Sequence, residues 1–245
     1  MKVLTLDDFD LKGKTVFLRV DMNCPIDSDT MEISGKKRIE EAIETIKSLD
    51  QAKLVIASHQ GRVGNNDYTG MDKHAKVLEE MLGKKIKYVE DVIGQAAQNE
   101  IKNLQDGEIL LLDNLRLCAE ENYEFTPEQA AKTIMVSRLS KLFDLCVLDS
   151  FPSAHRSHPS IVGFPQVIPA CAGRIVEREV RNLDEIMTVD EVWDWMEGPM
   201  TSGLFPDRWC VCGAAVWLCV AERVAPWWLT TSGIAWQGER RAVLI

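Results

Sequence analysis

Side chains suited to holding a small anion follow four short apolar runs of the sequence, each at the point where its run ends. In chain order, these side chains are Asp21, Asn23, His59, Arg62, Arg116, His155, Arg156 and His158. An arginine guanidinium holds phosphate or carboxylate oxygens through two parallel hydrogen bonds, which a lysine ammonium cannot match. The residue types therefore predict a site for a small anion, provided that the ends of the runs lie together.

The strength of such a site follows from the number of arginines. A charge-assisted hydrogen bond contributes roughly 1.5–3 kcal/mol. Three of them approach the roughly 8 kcal/mol of micromolar binding, before the cost of association is subtracted. Gly61 and Gly64 flank Arg62, and they would let the backbone come close to a ligand.

Each of these residues, taken alone, has a plainer interpretation. A single loop arginine is usually a solvated charge, and His59 or His155 alone is more often a structural hydrogen-bonding residue. Asp21 after a strand is commonly a turn residue or a helix N-cap. The segment 36–38, Lys-Lys-Arg, would by itself be a solvated helix start. Only the shared position at strand ends favours a site.

The elements that must position these side chains follow from hydrophobic periodicity. Apolar, β-branched runs alternate with helical ones, which is typical of βαβ units and a parallel sheet. The predicted strands are Thr15–Val20, Lys53–Ser58, Ile86–Val89, Glu108–Leu112 and Leu145–Asp149. In open parallel sheets, ligands bind beyond the carboxyl ends of the strands. We therefore predict an α/β fold, a three-layer doubly wound parallel sheet with the anion site at one edge.

Helical spacing and capping residues predict the intervening helices. Apolar residues repeat at helical spacing from Ile39 to Leu49 and again from Ala75 to Leu82, where Gly83 is suited to end the helix. Thr126, Pro127 and Gln129 match an N-cap, a first helical proline and a capping-box glutamine. We expect one helix to run from Thr126 to about Leu142.

Composition excludes several classes of partner. The net charge of −10 offers no broad basic field, so we expect no nucleic-acid partner. Cys24, Cys118, Cys146 and Cys171 are scattered, mostly in or beside apolar runs, which predicts buried reduced thiols and a cytoplasmic location. Met1 leads into the polar pair Asp7 and Asp8, and we expect neither a targeting segment nor a membrane partner.

The last fifty residues differ in composition from the rest. All seven tryptophans lie between Trp193 and Trp236, whereas every lysine lies between Lys2 and Lys141. The apolar stretch 209–221 is too short to span a membrane. Cys210, Cys212 and Cys219 lack a fourth ligand nearby, so we expect no metal site there. The composition therefore sets a tryptophan-rich tail at 193–245 apart from the rest of the chain.

Four segments of the sequence closely resemble phosphoglycerate kinase, particularly its archaeal-type members. They are Arg19–Pro25, Ser58–Arg62, Asp113–Arg116 and Ala154–His158. The family patterns are R-V-D-[FM]-N-V-P, S-H-x-G-R-P, E-N-[LT]-R-F and D-[AS]-F-x-x-A-H-R, and order and spacing agree over residues 1 to about 186. Cys24, Val63, Asp113 and Leu117 depart from them, but none of these changes removes a ligand-contacting side chain.

The resemblance implies reversible phosphoryl transfer from 1,3-bisphosphoglycerate to ADP, giving 3-phosphoglycerate and ATP, a step of glycolysis and gluconeogenesis. By matching positions, Asp21 and Asn23 would bind the glycerate carbon end. His59, Arg62, Arg116 and Arg156 would hold the substrate phosphate, and Arg38 would stabilise the transferring phosphoryl group as the catalytic residue. Such chemistry needs positioning and charge stabilisation more than acid–base groups.

The resemblance stops near residue 186, within what looks like the start of the family's interdomain helix. It implies a substrate-binding α/β domain at 1–172 and the start of that helix at 173–192. The family's second domain supplies G-G-A-K and G-G-G-D-T-type segments and acidic groups for Mg-ATP or Mg-ADP, and none of these motifs follows Ile186. We therefore expect the second domain and its cofactor-binding residues to be absent and the chain to be inactive alone. A separate nucleotide-binding domain would then be a partner.

Two other functions and one other origin stay open. The first function is that of a non-catalytic domain that binds 3-phosphoglycerate or a similar anion. The second is that of an interaction protein that acts through its tryptophan-rich tail. The tail itself has the composition of an out-of-frame translation after about Val192 or of a fusion junction. The other reading frames of the gene beyond codon 192 test this origin, since a G-G-A-K-like segment is expected there.

Overall fold

Six parallel strands form one sheet in the computed structural model, which describes residues 3–187. The strands are β1 Thr15–Val20, β2 Lys53–Ala57, β3 Ile86–Val89, β4 Ile109–Leu112, β5 Leu145–Asp149 and β6 Ala170–Ala172. The helices are α1 Lys37–Ser48, α2 Asp72–Leu82, α3 Gln95–Asn103, α4 Pro127–Ala130, α5 Ile134–Leu139 and α6 Arg174–Met187. The five predicted strands are therefore confirmed to within one residue. The three-residue β6 was missed, because so short a run has no readable period.

The order of the strands brings the polar strand ends together. Across the sheet it is β3-β4-β2-β1-β5-β6, with every neighbouring pair parallel. The four strands followed by candidate anion ligands are β4, β2, β1 and β5, and they are contiguous. The strand followed instead by Glu90 and Asp91 is β3, which lies at the edge. The predicted doubly wound parallel sheet is confirmed, and its polar ends share one rim.

Strand β1 shows how the sheet is buried on both faces. Successive side chains of a strand point to opposite faces. Val16, Leu18 and Val20 join one apolar cluster, which includes buried residues of α1 and α2. Phe17 joins a second cluster with buried residues of α3 and α5, and it stacks on Phe164 with ring centroids 4.4 Å apart. The alternation places Arg19 on the same face as Phe17.

The predicted helix from Thr126 to Leu142 is wrong in one respect, because it is interrupted. The capping box at Thr126 and Gln129 forms as predicted, but α4 ends at Ala130. Thr133 then caps a new helix by accepting a hydrogen bond from the Val136 amide. The Glu120 carboxylate accepts two more, from Ile134 N at 2.9 Å and Met135 N at 3.0 Å. The carboxylate of Glu120, which is distant in sequence, thus stabilises the start of α5, and the local sequence does not predict this start.

The carboxyl end of β5 also holds the start of α6. Asp149 Oδ1 accepts hydrogen bonds from Ile175 N at 2.9 Å and Val176 N at 3.2 Å. A Cβ atom at Gly173 would lie 2.4 Å from the Asp149 carboxyl carbon, so only glycine fits there. Helix α6 lies within the segment 173–192, where the start of the interdomain helix was expected, and the structure describes it as far as Met187. Residues Val3–Arg178 belong to one compact unit. The interdomain role of the helix stays a prediction. The tail at 193–245 lies outside the described residues.

Candidate functional site

The candidate ligands of the first strand end are fixed by contacts with their neighbours. Asp21 follows β1, and its carboxylate pairs with the Arg38 guanidinium on the first turn of α1. Asn23 Oδ1 accepts a hydrogen bond from the Gly61 amide at 2.9 Å, which joins the β1 end to the β2 end. Asp21 and Asn23 are partly buried, whereas Arg38 is exposed. The structure thus brings Arg38 to the strand ends, although its helix begins seventeen residues after the end of β1.

The turn after β2 requires its glycine. Gly61 has a φ of +63°, and a Cβ atom there would lie 2.5 Å from the Asp67 carbonyl carbon. Its amide contacts Asn23, and its carbonyl accepts a hydrogen bond from Arg116. The backbone of this one residue therefore links the ends of β1, β2 and β4.

Buried amide side chains hold the turns that carry the arginines. Asn114 Oδ1 accepts from Gln60 N at 3.2 Å and Arg116 N at 3.1 Å, and its Nδ2 donates to Gln60 O at 2.7 Å. Asp113 Oδ1 accepts from Met71 N at 2.9 Å. These hydrogen bonds fix the end of β4 against the end of β2, and they therefore also fix the turn that contains Arg116.

Positive charge accumulates at this rim. Arg116 is partly buried, and burial together with the nearby cations Arg19, Arg62 and Arg156 lowers its pKa despite Glu121. Arg62 is exposed, and no acidic side chain within residues 3–187 forms an ion pair with it. Arg19 lies near Glu121 and Arg156 near Glu124, whereas Arg62 and Arg116 form no ion pair within residues 3–187. These two cations leave an attraction for a ligand of opposite charge.

Arg156 is an exposed cation of the group. Its Nη1 lies 3.2 Å from Glu124 Oε1, with both side chains about half exposed. An exposed pair of this kind is worth about 0–1 kcal/mol, so an anion of higher charge can displace Glu124. His155 is exposed, and among the described contacts none joins it to the cluster. The structure therefore brings seven of the eight strand-end candidates together, with Arg38 added and His155 outside.

His59 lies deepest among the candidates, with 7% of its surface exposed. Its Nδ1 lies 3.1 Å from Arg19 Nη2. Burial is the main reason that the pKa of His59 falls to about 2, and the cations Arg19 and Arg116 lower it further. His158 is half-buried, and the same causes lower its pKa to about 4. At neutral pH both imidazoles are uncharged.

Sequence reasoning missed three buried residues beneath the rim. Arg19, Glu121 and Ser160 are at most 1% exposed. Arg19 Nε donates to Ser160 Oγ at 2.9 Å, and its Nη2 lies 3.9 Å from Glu121 Oε1. Glu121 accepts hydrogen bonds from both the amide and the hydroxyl of Ser160. A charged residue inside an apolar strand was a signal for Arg19, because such a charge needs a partner. No local pattern marks Glu121.

Residues 3–187 contain four cysteines. Cys24, Cys118, Cys146 and Cys171 are free and buried, as predicted, and burial raises the pKa of each thiol. Within this range, no group of three or more His, Cys, Asp or Glu side chains is placed to hold a metal ion. No helix of the described part is long and apolar enough to cross a membrane. Cys210, Cys212 and Cys219 lie outside it.

Comparisons with known proteins all agree on one family. The model of the family described as phosphoglycerate kinase matches residues 6–192. Phosphoglycerate kinase 2 of Methanosarcina acetivorans is 45% identical over 181 residues, covering 74% of this chain and 43% of that relative. Phosphoglycerate kinase of Saccharolobus solfataricus is 44% identical over 193 residues, covering 78% of this chain and 47% of that relative.

Solved structures agree with the sequence relatives. The crystal structure of phosphoglycerate kinase from Pyrococcus horikoshii OT3 superposes with a TM-score of 0.71 at 42% identity, covering 74% of this chain and 44% of that one. The structure of phosphoglycerate kinase from Coxiella burnetii gives a TM-score of 0.61 at 28% identity, with coverages of 75% and 44%. The chain thus spans a little under half the length of the relatives that it matches.

Proposed function

The chain belongs to the phosphoglycerate kinase family, and on that premise we propose that its strand ends bind 3-phosphoglycerate or 1,3-bisphosphoglycerate. The observation that carries the proposal is the surplus of positive charge around Arg116, which lies among Arg19, Arg62 and Arg156. This surplus occurs in a chain whose net charge is −10. A phosphate with two negative charges would relieve the mutual repulsion of the arginines and gain bidentate hydrogen bonds.

The contacts divide the rim into two parts. Arg62, Arg116 and Arg156 form the cationic part, to which His59 adds a neutral imidazole, and this part suits the phosphate. Asp21 and Asn23 form a polar part beside it, which suits the glycerate carbon end, where a carboxylate can accept a hydrogen bond from a hydroxyl group. The Asp21–Arg38 pair would hold Arg38 at that end of the substrate, where the transferring phosphoryl group is attached.

The proposed reaction is phosphoryl transfer between 1,3-bisphosphoglycerate and ADP. Such a transfer depends on positioning and on stabilising the charge of the phosphoryl oxygens. On this chain, Arg38 would supply the stabilising charge, while the other arginines keep the substrate in place. Mg-ADP supplies the phosphoryl acceptor when bound. Among the described residues, no group of three or more His, Cys, Asp or Glu side chains is placed to hold Mg²⁺.

A second candidate function is binding without turnover. The chain spans 43–47% of its curated relatives, so the other half of those proteins has no counterpart in the matched segment. We propose that this chain alone shows no kinase turnover, because closing a second domain over the substrate would be needed to exclude water. ATP formation that persists after repurification, measured in a coupled assay, would contradict this. An interaction through residues 193–245 stays a prediction, tested by comparing oligomeric state with and without them.

Calorimetry with 3-phosphoglycerate tests the binding proposal. Replacing Arg62 and Arg156 together with alanine removes two charge-assisted contacts, so affinity should fall at least about 100-fold at roughly 1.5 kcal/mol for each contact. Arg138→Ala is the matched control, because Arg138 is an exposed arginine on α5, away from the rim. Equal binding heats for the double variant and the unchanged chain would refute the site.

A further inference from the structure

A continuous series of hydrogen bonds runs beneath the rim from Glu121 through Ser160 and Arg19 to His59. Its four members come from distant parts of the sequence, and none is more than 7% exposed. Arg19 also donates to the carbonyl of Val20, so its guanidinium is held from three sides. A buried network with this many partners can fix both the position and the protonation of its members.

The direction of each hydrogen bond follows from the donor-only character of arginine. Arg19 Nε donates to Ser160 Oγ, so the Ser160 hydroxyl hydrogen is free to be donated to Glu121 Oε1. The Ser160 amide donates to the other carboxylate oxygen at 3.0 Å. Both oxygens of Glu121 therefore act as acceptors, which is the pattern of a carboxylate.

The same reasoning determines the tautomer of His59. Because Arg19 Nη2 can only donate, Nδ1 of His59 must accept. A neutral imidazole with a lone pair on Nδ1 carries its hydrogen on Nε2. Within residues 3–187, Nε2 of His59 has no hydrogen-bond partner and is not among the buried polar atoms left unpaired. This N–H therefore reaches the surface of the rim.

We propose that Arg19 locks His59 as a neutral Nε2–H donor to the substrate phosphate, with Ser160 and Glu121 as positioning residues that hold Arg19. The ligand in this proposal rests on the proposed function, whereas the lock itself does not. A neutral donor adds a directed hydrogen bond to the phosphate without adding to the repulsion among the arginines. Binding then requires no proton uptake by His59.

The groups around His59 favour the neutral form. It is faced by Arg19 on β1, Arg38 on α1, Arg116 after β4 and His158 after β5, with Glu121 behind Arg19. Burial and the surrounding cations hold the pKa of His59 at about 2. Between pH 5 and 8 the imidazole should therefore stay uncharged in the ligand-free chain.

Nitrogen-15 NMR of the imidazole groups in the full chain tests the lock. His59 is expected to show a pyridine-type Nδ1 and a pyrrole-type Nε2, both constant from pH 5 to 8 without ligand. His74 is an internal control, because its Nε2 lies 3.1 Å from Gln60 Oε1 and burial lowers its pKa to about 4. The Gln60 amide nitrogen donates to Cys24 O, so Oε1 accepts and His74 should share the tautomer. An Nδ1–H form or a titration of His59 in this pH range overturns the inference.

Adding 3-phosphoglycerate tests the donor role. The Nε2 resonance of His59 should shift, and that of His74 should not. If calorimetry shows binding but Nε2 of His59 does not respond, the donor role is refuted. If calorimetry shows no binding, the proposed function fails. The ligand-free spectrum still tests separately whether Arg19 holds His59 in the neutral Nε2–H form. His59→Gln should bind about tenfold more tightly than His59→Asn, because the Gln amide nitrogen overlies Nε2 and the Asn amide nitrogen overlies Nδ1.

Ser160→Ala separates positioning from general stability. It breaks the link between Glu121 and Arg19, so His59 should populate both tautomers and affinity for 3-phosphoglycerate should fall about tenfold. Thr45→Val is the matched control, because Thr45 is fully buried and its hydroxyl accepts from Arg174 N at 3.1 Å, outside the network. An unchanged His59 spectrum in folded Ser160→Ala would mean that Ser160 has only a structural role and would overturn its part of the proposal.

Discussion

Replacing Gly61 with alanine should destabilise the chain through a clash as well as through backbone strain. Gly61 has a φ of +63°, where a non-glycine residue costs about 1–2 kcal/mol. The added Cβ would also lie 2.5 Å from the carbonyl carbon and oxygen of Asp67 and 2.6 Å from Tyr68 N. These are backbone atoms, so relief requires the turn itself to move.

Gly64→Ala isolates the clash, because Gly64 lies in the same turn with a φ of +88° and nothing within 4 Å of its ideal Cβ position. Both variants stiffen the unfolded chain, which offsets about 0.4–1 kcal/mol of the strain. Gly64→Ala should therefore cost about 1 kcal/mol. Gly61→Ala should cost about 1–3 kcal/mol more, the range typical of overpacking.

Equilibrium urea unfolding of the three chains measures this difference. At an m-value of about 2 kcal/mol per M, the midpoint of Gly61→Ala should lie roughly 0.5–1.5 M below that of Gly64→Ala, with equal slopes. Coincident midpoints for the two variants would refute the reasoning, because they would show that the turn accepts a side chain without cost.

Three further outcomes are expected. Thr133→Ala should lower the free energy of unfolding by about 1 kcal/mol, because α5 loses its N-cap. An unchanged urea midpoint would contradict this. As pH falls from about 6 towards 4, stability should drop by up to about 1.4 kcal/mol per pH unit for each of His59 and His74. Burial lowers the folded pKa of both, so the unfolded chain takes up protons first. Urea series at several pH values should show a shallower slope in His74→Gln, and an identical slope would count against the assignment. Affinity for 3-phosphoglycerate, followed by calorimetry, should weaken as salt rises from about 0.05 to 0.5 M, because Arg62 and Arg156 are exposed; salt-independent binding would argue against these contacts.

Periodicity was sufficient for the parallel sheet because strands buried on both faces appear as continuous apolar runs. Residues 109–112 and 145–149 are such runs, and both are strands. In open parallel sheets, ligands bind beyond the carboxyl ends of the strands. This rule placed Arg62 and Arg116 at one rim without any knowledge of strand order. Strand order itself was not predictable, and it explains why β3, whose end carries acidic residues, contributes nothing there.

The buried part of the site was not predictable, because its partners are distant in sequence. Arg19 and Ser160 are 141 residues apart, and Glu121 lies in a short polar segment that resembles an exposed loop. The break before α5 was missed for the same reason, since Glu120 caps it from 14 residues away. Local patterns report hydrophobic periodicity and turn chemistry, whereas these contacts form only after the strands have been ordered.

The pairing of β1 with β5 has a consequence for synthesis. Val16 pairs with Leu54 on one side and with Leu145 on the other, so the second side of the central strand has no partner until the chain has grown by roughly ninety more residues. At about 5–20 residues per second, this interval lasts about 5–18 s. During that time one edge of β1 presents unpaired backbone N–H and C=O groups beside apolar side chains such as Phe17. The nascent chain should therefore need a chaperone most while residues 58–145 are being made.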